Sequence, residues 1–387
     1  MIKTQYIIKV YRGWDEVEKP HRIDIIDFDL IPRITEKEIF SSREEVLKRL
    51  IELRDSTIPE TPDEEFLKAR LNASTFYLRA LLGEHIPFKE YVKNTMGIRP
   101  EIIPDVEIER QKRVVDELLK GFGVPRRKSF KQFTSEIKLE KAEDAEEETR
   151  RCEETYVPRV LETLGFSGLE FQHTIKFVEE EAYWMGWVRS LPDGSFELRY
   201  NFHPVHQWYR GDLEFLTLHE VAGHFVQAAN LKRGIERGEL NPAVGITMVH
   251  DPHPFGSEGI ADAISYFLPE IQLSPYAVLA REQRALRDYL QNNAYISINE
   301  GGNENELTAY ILENHPFSTQ EKVRLNLKRW INDPLLRTYQ YIYGISAYYH
   351  RRWNEQLTVK AKKAYLRYAF TRYATPQQLL RFVGQLK

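Results

Sequence analysis

The segment HEVAGH, residues 219–224, constrains this chain more than any other part of its sequence. Apolar residues between 213 and 218 precede it, which predicts a buried helix through the segment. Side chains five positions apart point about 140° away from each other on a regular α-helix, so His219 and His224 would diverge. A π-type turn, whose hydrogen bonds join residues five apart, brings them to one side. We therefore expect a bulge at residues 220–224, with Gly223 best able to absorb the distortion.

A second segment, GSEGIAD at residues 256–262, supplies carboxylates that complement the two histidines. Two imidazoles and one carboxylate are a common ligand set of catalytic zinc, which keeps a fourth position open for water. We expect His219, His224 and Glu258 to bind one Zn²⁺ per chain. A histidine pair on a core helix, hydrogen-bonded but without a metal, is the alternative interpretation.

Two further carboxylates have expected roles beside these ligands. Glu220 follows a ligand directly and cannot easily bind the same ion, so it is the expected general base and then the general acid. Asp262 lies one helical turn after Glu258 and is expected to accept the free ring N–H of a ligand histidine. The alternative for Asp262 is an ordinary carboxylate on a helix surface.

Six of the eleven histidines lie between residues 203 and 253, a clustering typical of metal sites. His253 is the better candidate than His250 for polarising a substrate carbonyl or binding a substrate terminus, because it lies nearer to Glu258. Both are alternatively loop residues in contact with solvent. His203 and His206 are weaker candidates, since they alternatively only line the end of a strand.

The segment RTYQYIYG, residues 337–344, is dense in phenol groups, and stabilising an oxyanion requires such donors. We name Tyr341 from this segment as the expected catalytic tyrosine. Because the chain has 21 tyrosines, aromatic core packing is the alternative for any one of them.

Periodicity predicts a mainly α fold (α+β), and the resemblance to zinc peptidases described below implies a zincin-like core with a small antiparallel sheet beside the zinc helix and further helices around both. We expect strands at 5–10 and 23–29, helices at 42–54, 62–83 and 105–121, and an antiparallel β-meander within 169–202. Residues 1–125 are predicted to form a mostly helical N-terminal region. Residues 126–387 are predicted to form the catalytic region with a helical C-terminal part.

Composition restricts the class of partner and the compartment. The net charge of −4 is spread along the chain, which argues against nucleic acid and membrane surfaces as partners. Cys152 is the only cysteine, so no disulfide framework exists, and the N-terminus lacks a signal-peptide pattern. We expect a cytoplasmic protein that acts on a peptide or small-molecule substrate, and the oligomeric state stays open.

The HEVAGH and SEGIAD segments resemble the gluzincin metallopeptidases, and the spacing of the histidines resembles the HExxxH motif of dipeptidyl-peptidase III. HEVAGHFVQ, the pair Glu258-Gly259 and the run YIYG at 341–344 are similar to the DUF885-type families, although this chain lacks their Pro before the second histidine. These resemblances imply a largely helical zinc peptidase whose last strand before the zinc helix, 196–202, holds extended substrate. Carboxypeptidases with a buried zinc helix are a looser likeness.

The sequence therefore predicts a zinc-dependent metallopeptidase. Two alternatives stay open: a catalytically silent zinc-binding protein of the same fold, and a zinc hydrolase of non-peptide amides or esters.

Overall fold

The site-bearing segments lie inside a mainly helical fold with two small sheets, as predicted. The computed structural model describes residues 4–124, 127–139 and 142–387. Residues 125–126, at which the predicted domain boundary falls, lie outside the described part, so that boundary stays a prediction.

The helices and strands are numbered in chain order. Two 3₁₀ turns and one π segment interrupt the α-helices. The elements are α1 (Thr4–Glu18), a 3₁₀ turn (Lys19–His21), β1 (Phe28–Asp29), α2 (Arg43–Ser56), α3 (Pro62–Leu81), α4 (Phe88–Thr95), α5 (Asp105–Gly121), α6 (Arg127–Glu136), α7 (Ala142–Leu164), β2 (His173–Val178), β3 (Gly186–Ser190), β4 (Phe196–Asn201), α8 (Asp212–Thr217), the π segment (Leu218–Phe225), α9 (Val226–Glu236), a second 3₁₀ turn (Pro242–Gly245), β5 (Ile246–Thr247), α10 (Pro254–Phe267), α11 (Pro275–Asn299), α12 (Glu304–Asn314), α13 (Gln320–Asn332), α14 (Leu336–Tyr339), α15 (Tyr341–Gln356), α16 (Val359–Thr371) and α17 (Pro376–Leu386).

Local capping explains why several helices begin where the sequence predicts. The Ser42 side chain accepts a hydrogen bond from the Glu45 backbone N–H and starts α2. Thr61 and Glu64 form a reciprocal capping box at α3, with Pro62 in the first turn. The predicted helices at 42–54, 62–83 and 105–121 are confirmed.

The N-terminal segment differs from the prediction. The expected strand at 5–10 is wrong, because residues 4–18 form α1. Ile7, Tyr11 and Trp14 are fully buried at helical spacing, so one side of α1 packs into the core. A short apolar run does not distinguish a strand from a buried helix by itself. Of the expected strand at 23–29 only β1 forms, and it pairs antiparallel with β5.

The larger sheet has the order β2-β4-β3, which puts β4 at its centre. β3 and β4 form the predicted antiparallel hairpin around the turn at 192–194, where Gly194 has a φ of 82°. β2 instead runs parallel to β4, so the expected all-antiparallel meander is wrong. A parallel neighbour requires a connection that crosses back along the sheet, and β3 lies within that connection.

The sheet covers one side of the π segment, and α10 covers another. The Phe196 ring of β4 stacks on the Phe225 ring at the end of the π segment, with the centroids 5.2 Å apart. α15 and α11 pack behind α10 and complete the surroundings of the site. No helix in the described part of the chain combines the length and apolar character needed to cross a bilayer.

Candidate metal centre

The helix bulge that the histidine spacing predicts is present. Residues Leu218–Phe225 form a π-helix between α8 and α9. The widened turn brings the Nε2 atoms of His219 and His224 to 3.2 Å from each other. His219 is nearly fully buried, whereas His224 faces the adjoining cleft. Both imidazoles can therefore bind the same metal ion.

Gly223 has a different role from the expected one. Its φ is not in the left-handed region, so the bulge does not depend on the conformational freedom of glycine. A Cβ at this position would lie 2.7 Å from the Ala261 Cβ of α10. The missing side chain lets the π segment pack closely against α10, the helix that carries the neighbouring carboxylates.

Glu258 of α10 faces both imidazoles. Its Oε2 lies 3.3 Å from His219 Nε2 and 3.7 Å from His224 Nε2. Donor atoms at the corners of a tetrahedral zinc site with bonds of about 2.0–2.1 Å lie about 3.3 Å apart. The three atoms therefore have the mutual spacing of ligands around one small cation.

Asp262 contacts the other side of the His219 ring. Its Oδ1 accepts a hydrogen bond from His219 Nδ1 at 2.7 Å, which turns Nε2 towards the shared position. Burial opposes a charge on His219, but Asp262 and Glu258 raise its pKa to about 10. Although burial disfavours its charged form, the two histidines hold the pKa of Glu258 well below its usual range. The cluster therefore stabilises positive charge between the imidazoles.

Glu220 lies beside the cluster. Together with His219 and His224 it forms a group whose potential ligand atoms lie within 4.8 Å of one another. Its Oε2 is 4.0 Å from His224 Nε2, which is longer than either distance to Glu258. A Cβ added to Gly186 of β3 would lie 2.8 Å from Glu220 Oε1, so this strand packs directly over the carboxylate.

The tyrosine at the cluster is not the expected one. The Tyr341 hydroxyl accepts a hydrogen bond from the Glu101 backbone N–H at 2.8 Å, and the side chain does not line the cleft. This placement corrects the expectation for Tyr341. Tyr339 instead donates to Glu258 Oε1 at 3.0 Å, and its hydroxyl lies 2.6 Å from that of Tyr343. Their i,i+4 spacing within the tyrosine-rich segment is the signal that could have identified them.

Of the other histidines, only His253 reaches the cleft. Its ring lies against Tyr373, with centroids 4.4 Å apart, and burial lowers its pKa. His250 packs in the core against Tyr77. His206 is hydrogen-bonded to the Ala182 carbonyl, and His203 lies outside the cleft lining.

A cleft of about 190 Å³ opens onto the candidate metal centre. Besides the residues already described, it includes Asp27 and Tyr183, which the sequence analysis missed. Burial and the nearby Glu258 raise the pKa of Asp27 to about 8. The Tyr183 hydroxyl is buried without a hydrogen-bond partner in the described part of the protein. Both come from loops, where no periodic pattern marks a residue that faces a site.

The strand whose free edge borders the cleft is β3 and not β4, which differs from the expectation. β4, which was expected to hold extended substrate, is hydrogen-bonded on both sides by β2 and β3. Its backbone is therefore not available to another chain. β3 is an edge strand, and Gly186, Trp187 and Val188 line the cleft. The edge of the sheet that faces the cleft belongs to β3.

Comparisons with known proteins show a fold but no family. No protein-family model matches the chain, and no curated protein matches it. Among solved structures, the chain is similar to one described as "the putative lipoprotein from Colwellia psychrerythraea", with a TM-score of 0.58 and 15% sequence identity. The match covers 89% of this chain and 67% of the other. At this identity the likeness shows a shared fold alone, and the resemblances to peptidase families stay predictions.

Proposed function

We propose that this protein is a zinc-dependent metallopeptidase in which His219, His224 and Glu258 are the metal ligands and Glu220 is the general base. The observation that carries the proposal is the π segment, which brings two imidazole nitrogens to 3.2 Å beside a buried carboxylate. A π-bulge in a helix is rare and occurs mostly at functional sites.

The donor set fits a zinc ion. Glu258 Oε2 is buried and has no hydrogen-bond partner in the described part of the protein, although a buried carboxylate oxygen is costly to leave unpaired. It points at the two Nε2 atoms, which face each other. A cation at this point would satisfy all three atoms. Two imidazole nitrogens and one carboxylate oxygen at this mutual spacing would favour zinc.

We assign Glu258 rather than Glu220 as the third ligand. Glu258 Oε2 lies within 3.7 Å of both nitrogens, while Glu220 comes no nearer than 4.0 Å, to His224. Glu220 lines the cleft beneath Gly186 and is positioned to accept a proton from a water there. It then transfers that proton to the leaving amine.

The remaining residues orient the reactants. When bound, zinc supplies a Lewis acid and a water of lowered pKa. Asp262 keeps the His219 ring in one tautomer through its hydrogen bond to Nδ1. Tyr339 donates to Glu258 and so orients a proposed ligand, and the Tyr343 hydroxyl lies 2.6 Å from it in the lining of the cleft. The edge strand β3 offers backbone groups to an extended peptide.

Two variants separate binding of the metal from catalysis. The wild-type protein, purified without chelators and supplied with zinc, is expected to contain about one zinc per chain and to hydrolyse members of a mixed peptide library. Glu220→Gln should keep the zinc and lose at least about a hundredfold in kcat/KM, because it removes the proton acceptor. Glu258→Gln should bind zinc more weakly than Glu220→Gln, since it removes an anionic ligand.

Metal content is measured by elemental analysis and peptide cleavage by mass spectrometry. A protein that neither retains nor rebinds zinc contradicts the proposal. Zinc binding without hydrolysis of any peptide, ester or non-peptide amide indicates a catalytically silent protein. Hydrolysis of esters or non-peptide amides alone indicates a different zinc hydrolase.

A further inference from the structure

The wall of the cleft formed by α11 and α13 is cationic, and the proposed chemistry makes no use of it. Arg284 and Arg287 of α11 and Lys322 and Arg329 of α13 all line the same cleft as His219 and Glu258. We call these four side chains, with the two helices that carry them, the cationic wall.

The spacing of these residues is regular on both helices. Arg284, Arg287 and Gln291 follow one side of α11 at i, i+3 and i+7, and Lys322, Asn326 and Arg329 follow one side of α13 at i, i+4 and i+7. Positions three, four and seven apart share one face of a helix. The two packed helices therefore each present a row of hydrogen-bond donors to the cleft.

The positive charge of the wall is only partly neutralised. Asp288 pairs with Arg287 at 2.8 Å and lies 3.9 Å from Arg284. Among the residues that the structure describes, no carboxylate lies within ion-pair distance of Lys322 or Arg329. Burial, Arg287 and Arg284 lower the pKa of Lys322 to about 8, against the opposing effect of Asp212. Lys322 and Arg329 are partly buried, and cations that are partly removed from water without a carboxylate partner favour an anion.

The wall connects to the candidate metal centre through aromatic side chains. The Arg284 guanidinium lies 6.0 Å from the centroid of the Tyr343 ring. The Tyr343 hydroxyl contacts that of Tyr339, which in turn donates to Glu258. An anion bound by the cationic wall would thus lie in the same cleft as the peptide bond that is to be hydrolysed.

Resting on the proposed peptidase function, we propose that the cationic wall binds the C-terminal carboxylate of a peptide substrate, which makes the enzyme a carboxy-terminal exopeptidase. Every unmodified peptide carries this carboxylate whatever its sequence, and arginine and lysine are its usual partners. At about 190 Å³ the cleft is smaller than the roughly 300 Å³ at which pockets for drug-sized ligands begin. Few residues fit between the wall and the metal ligands.

The first test compares two peptide libraries of identical sequences, one with free C-terminal carboxylates and one with C-terminal amides. With zinc-loaded wild-type protein, we expect kcat/KM to be at least about tenfold higher for the free carboxylates, with cleavage near the C-terminus. Lys322→Gln and Arg329→Gln should each reduce this preference by raising KM for the free carboxylates. Lys322→Arg should keep it.

Lys328→Gln is the matched control, because Lys328 is an exposed cation on α13 outside the cleft lining. It should leave the preference unchanged. Equal cleavage of the two libraries by the wild type overturns the inference and leaves the proposed function standing. Preferential cleavage of amidated peptides that contain Asp or Glu also overturns it, since the wall would then bind an acidic side chain.

A binding experiment separates this inference from the proposed function. Immobilised, zinc-loaded Glu220→Gln protein is expected to retain the carboxylate library at least about tenfold more than the amide library. If the wild type hydrolyses no peptide while this selective retention persists, the peptidase proposal fails and carboxylate recognition stands. Equal retention of both libraries, or retention of neither, overturns the inference.

Discussion

At the scale of single residues, two tyrosines two positions apart lie in different surroundings. Tyr339 faces Glu258, whereas Tyr341 is fully buried and accepts a backbone hydrogen bond from residue 101. The helix axis is interrupted at Gln340, between α14 and α15. The sequence shows that this segment is rich in phenols, but the side of the helix that each phenol takes depends on this interruption.

Replacing each of these tyrosines by phenylalanine should therefore have different effects. Tyr339→Phe removes the donor to a proposed ligand, so we expect zinc affinity or kcat/KM to fall about 10- to 100-fold. Tyr341→Phe leaves the Glu101 N–H without its acceptor, so we expect a loss of about 1–2 kcal/mol of unfolding free energy with kcat/KM unchanged. Competitive chelator titration and urea denaturation measure these effects. A loss of activity in Tyr341→Phe alone would refute the assignment.

The residues of the candidate centre could be identified from sequence because they are local. His219, Glu220 and His224 lie within one helical segment, and Glu258 and Asp262 lie one turn apart on another. Their spacing in the sequence predicts which side chains share a face, since a helix sets the relative directions of side chains a few residues apart. Asp27 reaches the cleft through a pairing with a distant strand, and no local pattern encodes that.

At the scale of elements, the site depends on close packing of the π segment against α10. The bulge could be predicted, because only an i→i+5 turn brings the two histidines to one side. The parallel pairing of β2 with β4 could not be predicted, since the partner of a strand depends on contacts between residues far apart in the sequence. The N-terminal apolar run was ambiguous for a related reason: it is too short to show its period.

Gly223→Ala should disturb the contact between these two elements. The new methyl group would lie 2.7 Å from the Ala261 Cβ, so the π segment and α10 must move apart and the proposed ligands with them. We expect unfolding free energy to fall by about 1–3 kcal/mol and zinc affinity to fall as well.

Gly384→Ala is the control, because a Cβ there meets nothing within 4 Å in the exposed part of α17. It should raise stability by up to about 1 kcal/mol, since alanine favours a helix over glycine. Thermal unfolding and zinc titration of both variants give the comparison. Unchanged zinc affinity in a folded Gly223→Ala protein would contradict the packing argument.

At the scale of the whole molecule, buried neutral histidines link stability to pH. Burial, together with the nearby Arg287, lowers the pKa of His315 to about 3, and the ring is hydrogen-bonded to Ser318 and to the Gln283 carbonyl. Burial likewise lowers the pKa of His250 to about 3. At these two sites the folded state therefore binds fewer protons than the unfolded state below about pH 6.5.

These two histidines are expected to lower stability as pH decreases from 6.5 towards 3, and His315 should account for a loss of about 2 kcal/mol between pH 7 and pH 5. His315→Gln removes the titration while keeping a donor for the Gln283 carbonyl. Urea denaturation at the two pH values should show a smaller decrease for this variant than for the wild type. An equal decrease in both proteins would exclude this contribution.

The pairing of β1 with β5 also limits when Asp27 can take its position during synthesis. Phe28 N donates to the Thr247 hydroxyl across 219 positions of sequence, and Asp27 enters the cleft next to that pairing. A growing chain emerges from the ribosome N-terminus first, so residues 27–29 cannot pair with β5 until more than half of the polypeptide has been translated. β5 precedes α10 in the chain, so the N-terminal strand can dock before Glu258 and Asp262 have been translated, and the cleft is complete only after α11, α13 and Tyr373 have followed.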